Sequence, residues 1–113
     1  STKSIIINSE CVISKTIVTK KQLCWYEIKD WGFSYCGETR GEGDTYYLYF
    51  SGHECTVKNG RTKKLKGKMI KSFVIGEEYY DVASEIIYFC SARTTVKPFT
   101  QNVSPEWYED EEW

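Results

Sequence analysis

The close spacing of turn signals in the middle of the chain constrains the fold more than any other feature. Glycines recur at short intervals over residues 37–60, and Asn59 followed by Gly60 is a strong signal for a two-residue hairpin turn. β-Branched and aromatic residues fill the segments between the turns. These segments are residues 5–7, 12–18, 23–28, 33–36, 45–50, 55–57, 69–75 and 86–90. The pattern predicts an all-β fold, an antiparallel sandwich of two sheets.

Helix signals are scarce, and the chain is short. Residues 76–84 form the one helix candidate, but Tyr79 and Asp81 belong to no convincing stripe with a 3.6-residue period, so we expect a single helical turn at most. The 113 residues fit one domain over residues 1–103, followed by a tail over residues 104–113. No apolar run approaches the roughly 20 residues that a spanning helix needs, so no membrane insertion is predicted. A mixed α+β fold is the less favoured alternative.

Charge is distributed unevenly along the chain. The net charge is -1, but residues 104–113 hold five acidic residues and no base, which leaves +4 on residues 1–103. The segment 58–71 carries seven basic residues and no acid. They are Lys58, Arg61, Lys63, Lys64, Lys66, Lys68 and Lys71. This basic stripe predicts contact with a polyanion, either a glycosaminoglycan or a nucleic acid, or with an acidic protein face, through Lys63, Lys64 and Lys66. The alternative is a solvated strand pair whose lysines prevent edge-to-edge association.

Aromatic residues stand among the acids of the tail. Trp107, Tyr108 and Trp113 alternate with its glutamates and aspartate. Aromatic anchors among charges are typical of a binding segment, and a frayed terminus is the alternative. Asn102 opens an N-glycosylation acceptor sequence just before the tail, and the acidic neighbours of Tyr108 favour tyrosine sulfation in a secreted protein.

The cysteines are the strongest indication of cellular location. They are Cys11, Cys24, Cys36, Cys55 and Cys90. No C-x-x-C pair occurs and His53 is the single histidine, so a zinc site lacks ligands and we predict neither a metal nor a cofactor. Disulfides in an oxidising compartment account better for the cysteines, which predicts a secreted protein. An odd number leaves one thiol over, and we assign Cys55 to that role.

One arrangement of these residues resembles the immunoglobulin variable-type domain. Cys11 is followed fourteen positions later by Trp25, and Tyr88 stands two positions before Cys90. These positions resemble the family's second-strand cysteine, its inward-facing Trp and its Y-x-C motif. The resemblance implies a disulfide between Cys11 and Cys90 that links two sheets beneath the Trp25 indole, and a tyrosine corner at Tyr88.

A second feature extends the resemblance. Cys24 directly precedes Trp25 and would point to the opposite face of the same strand, and Cys36 lies beyond a turn at residues 30–32. A disulfide from Cys24 to Cys36 resembles the extra bridge of polymeric-immunoglobulin-receptor-like domains. The alternative is another small secreted β-sandwich or β-barrel, of the kind that parasites and plant pathogens use as effectors, with its cysteines linked differently.

Enzyme motifs are absent from the chain, which has no G-x-S-x-G, no Gly-rich phosphate loop and no H-E-x-x-H. The sequence therefore predicts a secreted or cell-surface module that binds another protein without catalysis, in host–pathogen or immune recognition. Tyr and Trp recur at protein interfaces, so we predict an aromatic binding surface. Its residues are Trp31, Tyr46, Tyr47 and Tyr49, together with Trp107, Tyr108 and Trp113 of the tail. The alternative is a small secreted hydrolase or ribonuclease that uses His53, Glu54 and Arg61.

Overall fold

Antiparallel strands dominate the computed structural model of the protein. It describes residues 3–39 and 43–100, apart from the side chains at positions 38, 39, 75–77 and 80. Within these residues the strands are β1 (Ser4–Ile7), β2 (Cys11–Lys15), β3 (Lys20–Cys24), β4 (Asp30–Thr39), β5 (Gly43–Ser51), β6 (Thr56–Lys58), β7 (Thr62–Lys64) and β8 (Met69–Ile75). A 3-10 helix covers Trp25–Glu27, and helix α1 covers Gly76–Ser91.

The strands form three antiparallel sheets. β1, β2 and β3 follow one another in the first sheet, while the second has the order β4-β5-β8. β6 and β7 form a separate two-stranded hairpin. All pairings among these strands are antiparallel, so the predicted all-β class with antiparallel sheets is confirmed.

The core lies on one face of the β4-β5-β8 sheet, which we call the inner face. Alternate residues of a strand point to the same side, and those that point inward here are aromatic or aliphatic. They are Trp31, Phe33 and Tyr35 on β4, Tyr46, Leu48 and Phe50 on β5, and Ile70 and Val74 on β8. Opposing residues on adjacent strands therefore pack side by side and bury a continuous apolar layer.

A second layer, made of the first sheet and helix α1, covers this inner face. Val12 and Leu23 from the first sheet are buried in the same core. From α1, the Tyr79 ring stacks on Tyr46 with centroids 4.0 Å apart and meets Phe33 edge-on at 5.1 Å. The inner face of this sheet therefore packs against both a second sheet and a helix.

The long helix corrects two expectations. α1 has 16 residues, where we expected one turn at most, and its last part contains residues 86–90, which we predicted as a strand. The helix forms because Tyr79, Ala83 and Cys90 recur at helical spacing on one buried side. The strand prediction for residues 86–90 is therefore wrong.

Trp25 occupies a different element from the one expected. Strand β3 ends at Cys24, and Trp25 begins the 3-10 helix instead of continuing a strand through residues 23–28. Its ring is buried against Phe50, and its indole N–H donates to the Asn8 carbonyl at 2.8 Å. The Trp is inward-facing as expected, while Tyr88 and Cys90 lie in α1. The immunoglobulin resemblance stays a prediction.

The turn predicted at Asn59 and Gly60 is confirmed. These residues join β6 to β7 with φ values of 58° and 70°, the left-handed conformation that a type I′ hairpin turn requires at both central positions. Strand β7, which consists of Thr62, Lys63 and Lys64, was not among the segments predicted as strands.

Helix α1 does not meet the requirements for crossing a bilayer. No helix within residues 3–39 and 43–100 is both long enough and apolar enough to do so.

Candidate functional site

The outer face of the β4-β5-β8 sheet holds two of the aromatic residues that the sequence singled out. Tyr47 and Tyr49 lie two positions apart on β5 and point to this face. Tyr47 is opposite Phe73 on β8, and Tyr49 is opposite Lys71. The two ends of this face, one over β4 and one over β8, have different surroundings.

The β6-β7 hairpin covers the end over β4. The backbone N–H of Tyr35 donates to the Arg61 carbonyl at 3.3 Å, and the Thr62 hydroxyl donates to the Tyr35 carbonyl at 3.0 Å. The backbone N–H of Lys63 donates to the Ser34 hydroxyl at 2.8 Å. The hairpin therefore supplies hydrogen-bond partners to an edge strand that would otherwise present unpaired groups.

Residues near the C-terminal end of the described chain occupy another part of the same β4 edge. The backbone N–H of Phe99 donates to the Trp31 carbonyl at 2.9 Å, and the N–H of Phe33 donates to the Phe99 carbonyl at 3.0 Å. The Trp31 indole donates to the Val96 carbonyl at 2.7 Å. Phe99 thus forms a short parallel bridge beside Gly32.

A buried carboxylate fixes the covering hairpin to the sheet. One oxygen of the Asp30 carboxylate accepts a hydrogen bond from the Tyr49 hydroxyl at 2.7 Å. The other oxygen accepts one from the Cys55 backbone N–H at 3.0 Å. The second oxygen also lies 3.1 Å from the Lys63 ammonium, and the side chains of Lys63 and Asp30 are only 13% and 10% exposed. Burial and the adjacent Asp30 carboxylate raise the pKa of the Tyr49 phenol, which keeps it a donor.

Lys63 is engaged by this cluster. Its ammonium contacts Asp30, donates to the Cys55 carbonyl at 3.0 Å and lies 4.9 Å from the centre of the Phe99 ring. An ammonium has three donors, and the Asp30 carboxylate and the Cys55 carbonyl take two of them, while the Phe99 ring lies beside the charge. The chemistry available here is structural, because a largely buried ion pair holds three segments together and leaves Lys63 little exposed to a ligand.

Among the described residues, no segment covers the end over β8 as the hairpin covers the end over β4. The Tyr47 and Phe73 rings lie 4.5 Å apart, and the Lys71 ammonium lies 4.8 Å from the centre of the Tyr47 ring. Phe73 is 62% exposed, a large fraction for a phenyl ring. These three side chains, with Lys3 and Ser72, line one depression of about 320 Å³.

Three lysines gather beside these rings. Partial burial lowers the pKa of the Lys3 ammonium, and the positive charges of Lys21 and Lys71 lower it further. Lys3 also donates to the Lys71 carbonyl. Among the described side chains none of these lysines has a carboxylate partner. We call Lys3, Lys21, Tyr47, Lys71 and Phe73 the aromatic-lysine surface.

The predicted binding residues divide between core, cluster and surface. Trp31 and Tyr46 are buried in the core and Tyr49 in the Asp30 cluster, which corrects their prediction as binding residues, because bulky rings are needed to fill the interior of so short a chain. Tyr47 lies on the aromatic-lysine surface, and Lys64 and Lys66 are exposed. Trp107, Tyr108 and Trp113, like Asn102, fall outside the described residues.

Sequence reasoning missed most of the aromatic-lysine surface. Phe73, Lys3 and Lys21 were not singled out, and Lys71 was counted only as the last member of the basic stripe. One signal was available for two of them, since Lys71 and Phe73 alternate with the buried residues Ile70 and Val74 along β8.

The five cysteines are free thiols in this structure, so the predicted disulfides are not seen. Cys24 lies opposite Cys11 in the β2-β3 register. Cys36 lies on β4, where its thiol donates to the Thr45 carbonyl at 3.3 Å. Burial raises the pKa of the Cys36 thiol, and nearby Lys71 partly offsets that rise.

Cys90 is enclosed in the core, and burial raises its pKa to about 12. Cys55, which we assigned as the odd thiol, is buried between Ser51 and the His53 carbonyl.

The residues of the hydrolase alternative lie in loops and on the covering hairpin. His53 and Glu54 are exposed, and the Arg61 guanidinium lies 4.2 Å from the centre of the Tyr35 ring. No group of three metal-ligating side chains occurs within the part of the chain that the structure describes.

Comparison of the chain with protein-family models, with curated proteins and with solved structures finds no match.

Proposed function

We propose that the protein is a non-catalytic binding module, and that its aromatic-lysine surface binds a partner protein through an acidic, aromatic-containing face. The observation that carries this proposal is the exposed Phe73 ring beside Tyr47 and three lysines that lack a described carboxylate partner. Tyr, Phe and cationic side chains in one patch are the composition of interface anchors.

Electrostatics supports the choice of an acidic partner. Partial burial is the main cause that lowers the pKa of Lys3, and the positive charges of Lys21 and Lys71 add to it. Like charges held together are unfavourable in the isolated protein, and a carboxylate placed among them would relieve that repulsion. A partner with Asp or Glu next to an aromatic residue would satisfy both the lysines and the exposed ring.

The setting of this binding follows from the cysteines and the predicted resemblance. Five cysteines in 113 residues favour an oxidising compartment, so we place the protein outside the cell or at its surface. An immunoglobulin-like or effector-like module in that setting acts in host–pathogen or immune recognition.

Binding to defined polymers tests the proposal with the full-length protein. The probes are poly-glutamate, a random glutamate–tyrosine copolymer and heparin, titrated at low and high salt. We expect the copolymer to bind more tightly than poly-glutamate, because it offers rings to Phe73 and Tyr47 as well as charge to the lysines. Phe73→Ala should weaken copolymer binding by about tenfold.

Matched variants separate this surface from other exposed residues. Tyr88 on α1 is 76% exposed, so Tyr88→Ala removes an exposed ring elsewhere and should leave binding unchanged. Lys71→Gln should weaken binding, whereas Lys64→Gln on the covering hairpin should not. Tight heparin binding that depends on Lys64 and Lys66 would instead identify a polyanion-binding module, and equal losses from Tyr88→Ala and Phe73→Ala would refute the proposed surface.

A further inference from the structure

Two cysteines face each other across the β2-β3 hairpin. The antiparallel register places Cys11 directly opposite Cys24, at the end of the hairpin farthest from its turn. Cys11 is buried and Cys24 is half-buried. Side chains of directly opposed residues point to the same face of the sheet, so the two thiols share one side.

Hydrogen bonds on either side of this pair define its type. At the turn end the Thr16 N–H donates to the Thr19 carbonyl at 2.9 Å, and at the other end the Trp25 N–H donates to the Glu10 carbonyl at 3.2 Å. Bonded and non-bonded pairs alternate along an antiparallel ladder, and both flanking bonds assign Cys11 and Cys24 to a non-hydrogen-bonded pair.

The backbone amides of the two cysteines confirm the assignment. The Cys11 N–H donates to the Asn8 side-chain oxygen at 2.9 Å, and the Cys24 N–H donates to the Glu27 carboxylate at 2.8 Å. Neither amide is directed at the opposite strand, as expected of a non-hydrogen-bonded pair.

This type of pair has the spacing that a disulfide needs. Cα atoms of a non-hydrogen-bonded pair lie about 4.5 Å apart, about 1 Å closer than in a hydrogen-bonded pair. Disulfides span Cα separations of about 4.4–6.8 Å. Within the described strand pairings, no other two cysteines lie opposite each other. Cys36 is on β4, which pairs with a strand that contains no cysteine, and Cys55 and Cys90 lie outside the strands.

We propose that Cys11 and Cys24 form a cross-strand disulfide when the protein meets a disulfide oxidant such as oxidised glutathione. The Cys24 thiolate, the more accessible of the two, attacks the oxidant and releases one glutathione thiolate. The Cys11 thiolate then attacks the Cys24 sulfur of the mixed disulfide and releases the second. The two cysteines lose two protons and two electrons, and the oxidant becomes two glutathione thiols.

The bond would close a loop over residues 12–23 and lock the end of the hairpin next to Trp25. It differs from the pairs that the immunoglobulin resemblance implies, and it does not depend on the proposed binding function. Closure of a loop of this length raises stability mainly by restricting the unfolded chain.

Tryptic mapping of the full-length protein, alkylated after incubation with oxidised glutathione, tests the proposal directly. Cleavage after Lys and Arg places each of the five cysteines in a separate peptide. We expect residues 4–15 to be joined to residues 22–29, with the linkage removed by reductant. Linkage of residues 4–15 to residues 72–93, which contain Cys90, would overturn the proposal, and so would alkylation of both Cys11 and Cys24 after oxidation.

Thermal unfolding provides a second measurement with a matched control. Reductant should lower the melting temperature of the oxidised protein by roughly 10 °C. Cys24→Ser, which changes the less buried cysteine of the pair, should lose this response to reductant. Cys36→Ser, which changes an exposed thiol on another sheet, should keep it. A response to reductant that persists in Cys24→Ser would assign the bond to a different pair and refute the proposal.

Discussion

Two lysine–tyrosine pairs on one sheet face have opposite roles. At the β4 end, Tyr49 and Lys63 lie around the buried Asp30 carboxylate, and Lys63 forms an ion pair with it. At the β8 end, Tyr47 and Lys71 lie in contact with each other, next to an exposed phenylalanine. A single carboxylate and a covering hairpin make the difference. The same residue types build the scaffold where a counter-charge is present, and remain available to a partner where it is not.

The largest expected difference in stability is between two glycines of β4, one beside Phe99 and one away from it. Gly32 has a φ of 144°, and a Cβ there would lie 2.5 Å from the backbone N and O of Phe99. Gly37 also has a positive φ of 125°, but a Cβ there would meet nothing within 4 Å. We expect Gly32→Ala to lower the free energy of unfolding by roughly 4 kcal/mol, and Gly37→Ala by about 1–2 kcal/mol. Urea unfolding of both variants measures the difference, and equal losses would show that Phe99 does not hold this edge.

The lysines give the next largest difference. Lys63→Met leaves the buried Asp30 carboxylate without its counter-charge, and we expect the free energy of unfolding to fall by about 3 kcal/mol. Lys71→Met removes an exposed charge from a group of three and should change it by less than about 0.5 kcal/mol. Urea unfolding at neutral pH measures both. A small loss for Lys63→Met would mean that the hydrogen bonds to Ser34 and Tyr35 hold the hairpin without the ion pair.

The two tyrosine variants should differ least in the free energy of unfolding, and the contribution of Tyr49 also depends on pH. Tyr49→Phe deletes the hydrogen bond to Asp30 and should cost about 2 kcal/mol at pH 7, whereas Tyr47→Phe should stay within about 0.5 kcal/mol of the native protein. The pKa of Tyr49 is raised above its ordinary value of 10.0 in the folded state. Its contribution is therefore complete below pH 10 and is lost as the pH rises further, because the unfolded phenol ionises first.

Unfolding curves from pH 7 to pH 11 test this sign. The stability gap between the native protein and Tyr49→Phe should narrow above pH 10. A gap for Tyr49→Phe that widens with pH would contradict the assignment of the Tyr49 hydroxyl as a donor to Asp30.

Local signals in the sequence predicted most of the strands, for physical reasons that act over a few residues. Alternation and turn chemistry depend on neighbours, so the segments at residues 45–50 and 69–75 and the turn at Asn59 and Gly60 were predicted. The helix was missed because its buried stripe, from Tyr79 through Ala83 to Cys90, was divided between a supposed single turn and a supposed strand. A window covering all four turns would have revealed the period.

The candidate site was less predictable, because the exposure of a side chain depends on segments far away in the chain. Trp31, Tyr47 and Tyr49 have the same composition signal, yet one fills the core, one lies on the surface and one is enclosed by Lys63 and Cys55. Nothing near Tyr49 in the sequence indicates that the β6-β7 hairpin covers it. The first sheet packs against β8, and this packing brings Lys3 into contact with Lys71, which is 68 positions away in the sequence.

The bridge between Phe99 and Gly32 has a consequence for synthesis on the ribosome. Strand β4 is translated early, but the Trp31 indole finds its acceptor 65 residues later, at Val96. Until Phe99 has been translated, the part of the β4 edge at Trp31 and Phe33 stays open and can pair with strands of neighbouring nascent chains. Slow translation of the codons between those of β8 and Phe99 would prolong this period, so codon choice and chaperone supply over that stretch should govern the yield of native protein.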